Sequence, residues 1–86
     1  MKKVRLYFIA GDPYCEMIRN LLKFHNVDFE MIEVSVNKEA KREMAELSGQ
    51  ENVPVICVDG RAFVGFDFEM LKKVLGLTGE EQQSKQ

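Results

Sequence analysis

The chain has 86 residues, 45% hydrophobic and 30% charged, enough for one domain around one small core and too few for two. That balance excludes intrinsically disordered, collagen-like and low-complexity classes. Its 12 Lys and Arg against 14 Asp and Glu leave a formal net charge of −2, which offers no long-range attraction to a phosphate backbone and argues against a nucleic-acid partner.

Residues 3–10 (Lys-Val-Arg-Leu-Tyr-Phe-Ile-Ala) are rich in β-formers and end in a nearly continuous apolar run, the pattern of a central strand covered on both faces. The run is too short for a secretory h-region, and no stretch approaches the roughly 20 apolar residues of a spanning helix. A cytoplasmic protein with no membrane partner is therefore expected. Gly11, Asp12 and Pro13 signal a helix start, with Asp12 as N-cap and Pro13 at the first helical position, where its missing N–H costs nothing. Tyr14, Met17, Ile18, Leu21 and Leu22 then recur at helical spacing and predict the apolar stripe of helix one. His25, near its end, reads as a solvated residue favoured by the helix dipole rather than as a catalytic base.

Over residues 27–36 apolar and polar side chains alternate, but the phase slips at Met31 and Ile32, which predicts a second strand with a bulge or bend near a sheet edge. Residues 38–48 are strong helix formers with a narrow stripe at Ala40, Met44 and Leu47, stopped by Gly49. Their charges read as a solvated face. Residues 53–58 form a β run with Pro54 at its start or edge, and Asp59-Gly60 supplies a hairpin turn before a strand at 61–64. Phe68, Leu71, Val74 and Leu75 mark a last helix between Asp67 and Gly76. Residues 78–86 carry no apolar anchor and are expected to fray beyond a single domain over 1–77. The order β-α-β-α-β-β-α predicts an α/β fold: a parallel first pair, a hairpin adding antiparallel strands, and helices on both faces of a four-stranded mixed sheet. A monomer is expected.

Candidate chemistry gathers at the start of helix one. A helix N-terminus presents unpaired N–H groups and about half a positive charge, which generates a thiolate from a thiol placed there and stabilises a carboxylate equally. A carboxylate cannot attack a disulfide sulfur to form the mixed disulfide of exchange. Taken alone, Asp12-Pro13 reads as a good N-cap before a good first residue, because no acid/base partner lies near Asp12 in sequence. The 2 cysteines, Cys15 and Cys57, fit neither a Cys-x-x-Cys pair nor a zinc-ligand spacing, and with 1 His in the chain no metal is expected. Cys15, on the flank of the stripe, reads as a small buried hydrophobe with a near-normal or raised pKa, and Cys57 as inert packing.

The element order combined with Asp12-Pro13-Tyr14-Cys15 resembles the thioredoxin fold and, within it, the glutaredoxin family, over residues 3–76. Members typically carry Cys-Pro-Tyr-Cys in that place, Thr-Val-Pro with a cis proline at Asn52-Val53-Pro54, and a glycine-containing turn at Gly65-Phe66-Asp67. The resemblance implies a thiol–disulfide oxidoreductase acting on a protein disulfide or thiol peptide. It puts Asp12 at the nucleophile's position and Cys15 at that of the resolving cysteine. Substrate would be held by Pro13, Tyr14, Val53, Pro54, Gly65, Phe66 and Asp67, with Val53 pairing its backbone with an extended peptide across a cis Val53–Pro54 bond.

Glutathione-using members usually carry a lysine where Ile9 stands, and the Gly-Phe-Asp turn looks more like that of redoxins served by a flavin-dependent reductase. The resemblance thus implies no bound cofactor and weighs against glutathione while leaving it open. Two functions follow for the residues as they stand: an oxidoreductase impaired at Asp12, and a redox-silent module binding an extended peptide or small thiol.

Overall fold

In the computed structural model, which describes residues 3–64 and 68–76, the β-rich start forms β1 (Val4–Phe8), followed by α1 (Pro13–Phe24), β2 (Glu30–Glu33), α2 (Lys38–Ser48), β3 (Val55–Val58), β4 (Arg61–Val64) and α3 (Phe68–Leu75). The strands form one mixed sheet in the order β2-β1-β3-β4. β1 and β2 run parallel, and β1–β3 and β3–β4 are antiparallel. The architecture is the α/β, thioredoxin-like one that the element order predicts. The expected tail at 78–86 and the turn at Gly65, Phe66 and Asp67 lie outside the described residues.

Two-sided burial explains the apolar character of the central strands. Val4 and Leu6 of β1 join Ile56 and Val58 of β3 beneath Ile18, Leu22 and Leu71 of the α1 and α3 side. Tyr7 joins Val55 and Cys57 beneath Ala40 and Met44 of α2 on the other side. All four residues of β3 are buried, and each fully buried Leu, Ile or Val contributes about 1.5–3 kcal/mol. Tyr7, fully buried, needs a partner for its hydroxyl. The guanidinium of Arg5 donates to it at 3.2 Å and pairs with Glu43 of α2 at 3.5 Å.

Three expectations need correction. The phase slip at Met31 and Ile32 is not a bulge, because Arg5 through Phe8 pair in unbroken register with Glu30 through Glu33. Phe29 packs on the α1 side while Ile32 and Val34 pack on the α2 side, so strict alternation on a sheet covered on both faces puts apolar residues at consecutive positions. In α1 the buried residues are Cys15, Ile18 and Leu22, whereas Met17 is 45% exposed, and Tyr14, 53% exposed, follows the exposed placement that the resemblance implies rather than the apolar stripe. The helix docks with its face turned toward Cys15, leaving those two on its outer edge. In α2, Ala40 and Met44 are buried but Leu47 is 40% exposed, because it lies at the end of a helix whose contact face is only two residues long.

The hairpin turn has Asp59 at φ 51° and Gly60 at φ 86°, the paired left-handed residues of a type I′ turn. Asp59 also fastens the start of β1: Lys3 N–H donates to its carboxylate at 2.8 Å, and its own N–H donates to the Lys3 carbonyl at 2.9 Å. Packing distinguishes the α2 positions sharply. Met44→Ala should cost about 2–5 kcal/mol in urea unfolding and Leu47→Ala under about 1 kcal/mol; equal losses would contradict the docking of α2.

Candidate active site at the start of α1

The site is built where β1 leaves the sheet. Residues 9–12 form a β-turn closed by Asp12 N–H donating to the Ile9 carbonyl at 3.1 Å. Gly11 adopts φ 90°, the positive angle a type II turn requires at its third residue. Asp12 then caps α1: its Oδ1 accepts from Tyr14 N–H at 2.9 Å and from Cys15 N–H at 3.1 Å. Glu16 N–H donates to the Asp12 carbonyl at 3.1 Å, and Pro13 has no N–H to satisfy. The amides that would stabilise an anion at this helix end are engaged by the chain's own carboxylate.

Cys15 is 3% exposed and faces inward beside Ile18 and Leu22. Burial pushes its thiol above the ordinary range, the carboxylates of Asp12 and Glu16 push the same way, and a backbone hydrogen bond with Ile9 pulls it down. Cys57 is 5% exposed on the α2 side, and both cysteines are free. Pro13 and Tyr14 are exposed at the helix start, and Ile9 is 39% exposed beside them in sequence.

The opposite wall comes from the entry to β3. Tyr7 lies opposite Val55, so antiparallel register sets Pro54 level with Phe8, at the sheet end from which the Asp12 turn departs. The Val53–Pro54 peptide is cis; Pro54 is buried and Val53 half-buried. Just before it, the Gln50 side chain donates to the Asn52 carbonyl at 2.8 Å and accepts from Asn52 N–H at 2.9 Å. Among the described residues, nothing accepts from or donates to the Val53 backbone. The structure therefore brings Asp12, Pro13, Tyr14 and Cys15 to the sheet end that also carries Val53 and Pro54, while Gly65, Phe66 and Asp67 lie outside the described residues.

Two residues that sequence patterns did not mark also shape the site. Gln50 clamps the segment before Val53, and Glu33 at the end of β2 accepts from Ala10 N–H at 3.1 Å and from the Ser35 hydroxyl at 2.8 Å. Neither carries a periodic signal; only the parallel β1–β2 pairing shows that Glu33 must end beside the turn. His25 is the C-cap of α1, its N–H donating to the Leu21 carbonyl, with its ring edge-on to Phe24. Among the described residues, no group of three or more His, Cys, Asp or Glu side chains is placed to hold a metal ion, and no helix is long and apolar enough to cross a membrane.

Residues 4–64 match the glutaredoxin family model. The chain belongs to the glutaredoxin family. It is 33% identical over 72 residues to a glutaredoxin-like 8.6 kDa protein in a rubredoxin operon of Clostridium pasteurianum, spanning 84% of this chain and 96% of that protein. It is 37% identical over 81 residues to a glutaredoxin of Neisseria meningitidis, spanning 92% and 95%. The crystal structure of a glutaredoxin from Archaeoglobus fulgidus superposes with a TM-score of 0.79 at 28% identity, covering 87% of each chain. Glutaredoxin family membership supports a function of the thiol–disulfide oxidoreductase type.

The cap and the thiol are coupled electrostatically. Asp12→Asn keeps a capping oxygen but removes the charge beside Cys15. The Cys15 titration, followed by thiolate absorbance, should therefore move to lower pH than in the parent, and an unchanged titration would deny the coupling. The folded thiol holds its proton more tightly than the unfolded one. Its stabilising contribution is present below the ordinary thiol pKa and is lost as pH rises from there through the folded value.

Proposed function

We propose that this glutaredoxin-family chain binds an extended peptide bearing a thiol or disulfide but does not perform the first step of exchange. The observation that carries this is the capture of the Tyr14 and Cys15 amides by the Asp12 carboxylate. Exchange begins when a thiolate attacks one sulfur of a disulfide: a new S–S bond forms, the old one breaks, and the departing sulfur leaves as thiolate. Asp12 holds the helix-end position with the right charge and no sulfur. Cys15 has a sulfur, but burial and two neighbouring carboxylates keep it protonated, and its 3% exposure denies the approach that attack requires.

Binding does not depend on that sulfur. The hydrogen-bonding groups of Val53 suit an extended peptide adding to the sheet end as a short strand, with main-chain bonds supplying affinity. Exposed Tyr14 offers an aromatic surface with a polar tip beside it. Ile9 gives a ligand carboxylate no cation, which favours a peptide or protein thiol over glutathione. A flavin-dependent reductase is the electron donor that the sequence Gly65-Phe66-Asp67 suggests for a two-cysteine form.

Asp12→Cys tests the assignment. The substitution removes a good N-cap at about 1 kcal/mol, within the typical domain stability of about 5–15 kcal/mol. The new thiol gains the freed amides, attacks first, and leaves Cys15, one turn along, to resolve the mixed disulfide. With dithiothreitol as electron donor to regenerate the dithiol, the parent chain should show no turnover above the uncatalysed rate, and Asp12→Cys should reduce a protein disulfide better than a glutathione mixed disulfide. Turnover by the parent would overturn the proposal, as would a folded Asp12→Cys without activity.

A further inference from the structure

We infer that Glu33, at the end of β2, is the positioning residue of the Asp12–Cys15 site, its carboxylate holding in place the turn that carries Asp12, whose own carboxylate accepts from the Cys15 amide. The inference rests on the site assigned above and not on the loss of exchange there.

Phe8 and Glu33 are opposite each other at the ends of the parallel strands, and Val34 N–H donating to the Phe8 carbonyl at 3.0 Å continues the pairing one step further. Beyond it, the chain after β1 turns away. The turn's own bond uses only the Ile9 carbonyl and Asp12 N–H, which leaves the N–H of exposed Ala10, at its second position, open to water or to a side chain from a neighbouring element. Glu33 Oε2 supplies it at 3.1 Å. The same oxygen receives the Ser35 hydroxyl at 2.8 Å, which fixes the rotamer of a half-buried side chain. Bonds to an ionised acceptor are roughly twice as strong as neutral ones. The turn is thus tied within itself by Ile9 and Asp12 and across to the neighbouring strand by Ala10 and Glu33.

Position at this turn aims the Asp12 carboxylate at the Tyr14 and Cys15 amides, 2.9 and 3.1 Å away. A turn released from β2 would loosen the cap on Cys15 and, with it, the local burial of that residue before the rest of the fold. Cys57 sits on the opposite side of the sheet and shares no element with the turn, so it reports general loosening of the fold.

The test is the alkylation rate of each cysteine by iodoacetamide in the folded protein, resolved by peptide mass spectrometry. Glu33→Ala should speed Cys15 by about tenfold, the scale of losing one charge-assisted bond that opposes local opening, and leave Cys57 within about twofold. Glu33→Gln keeps an oxygen that can accept from both donors but loses the charge, and should raise Cys15 by about threefold, short of the Ala variant, with Cys57 within about twofold. An unchanged Cys15 in folded Glu33→Ala overturns the inference. So does a parallel rise at Cys57, or a Gln variant as fast as the Ala variant. If Glu33→Ala does not fold, Ser35→Ala decides: a smaller rise at Cys15 alone supports the inference, and no rise overturns it. None of these rates depends on whether Asp12→Cys recovers exchange, so failure here and failure of the proposed function are separately visible.

Discussion

The first turn of α1 has backbone amides that must find acceptors, and how they find them determines what the site can do. Asp12 meets the need with a single oxygen shared between Tyr14 and Cys15. Such a cap stabilises a helix by about 1 kcal/mol, modest as energy but, on the function proposed above, decisive as chemistry. The positive end of the helix, which in an exchange site would hold a thiolate, is neutralised by a carboxylate that cannot leave. Cys15, next along the helix, then experiences burial and negative charge together, and both favour its protonated form.

The rest of the molecule keeps this turn where it is. β1 lies between β2 and β3, buried on both faces, so its end is a rigid point of departure. β2 contributes Glu33, and β3 begins at Pro54 level with Phe8. Three strands thus converge on a few residues of irregular backbone, a rigid scaffold presenting a small polar loop. The clamp between Gln50 and Asn52 does on the β3 side what Glu33 does on the β2 side, fixing a segment adjacent to the groups that would meet a ligand.

Much of this was legible in the sequence because the signals are local. Asp12-Pro13 specifies a helix start by capping physics alone, Asp59-Gly60 specifies a hairpin by its backbone angles, and the apolar runs at β1 and β3 specify central strands. Interpretation failed where a side chain's role depends on what another element does. Met31 and Ile32 looked like a broken pattern because alternation across a sheet covered on both faces does not register as amphipathic. Tyr14, Met17 and Leu47 are apolar at helical spacing, yet the docking direction of each helix, set by the sheet beneath it, leaves them exposed. Glu33 and Gln50 were illegible for the same reason: each is an ordinary polar residue whose partner is brought near only by strand pairing or by the loop before Pro54.

The central claim is that the folded chain holds no nucleophilic sulfur at its helix end. Reaction with an aromatic disulfide reagent at neutral pH tests this most directly, because each thiol that attacks releases one coloured leaving group. The native protein should release almost none within minutes, while the denatured chain should release 2 equivalents, one for each cysteine of the sequence. One fast equivalent from the native protein, mapped to Cys15, would contradict the account and make that residue the working nucleophile.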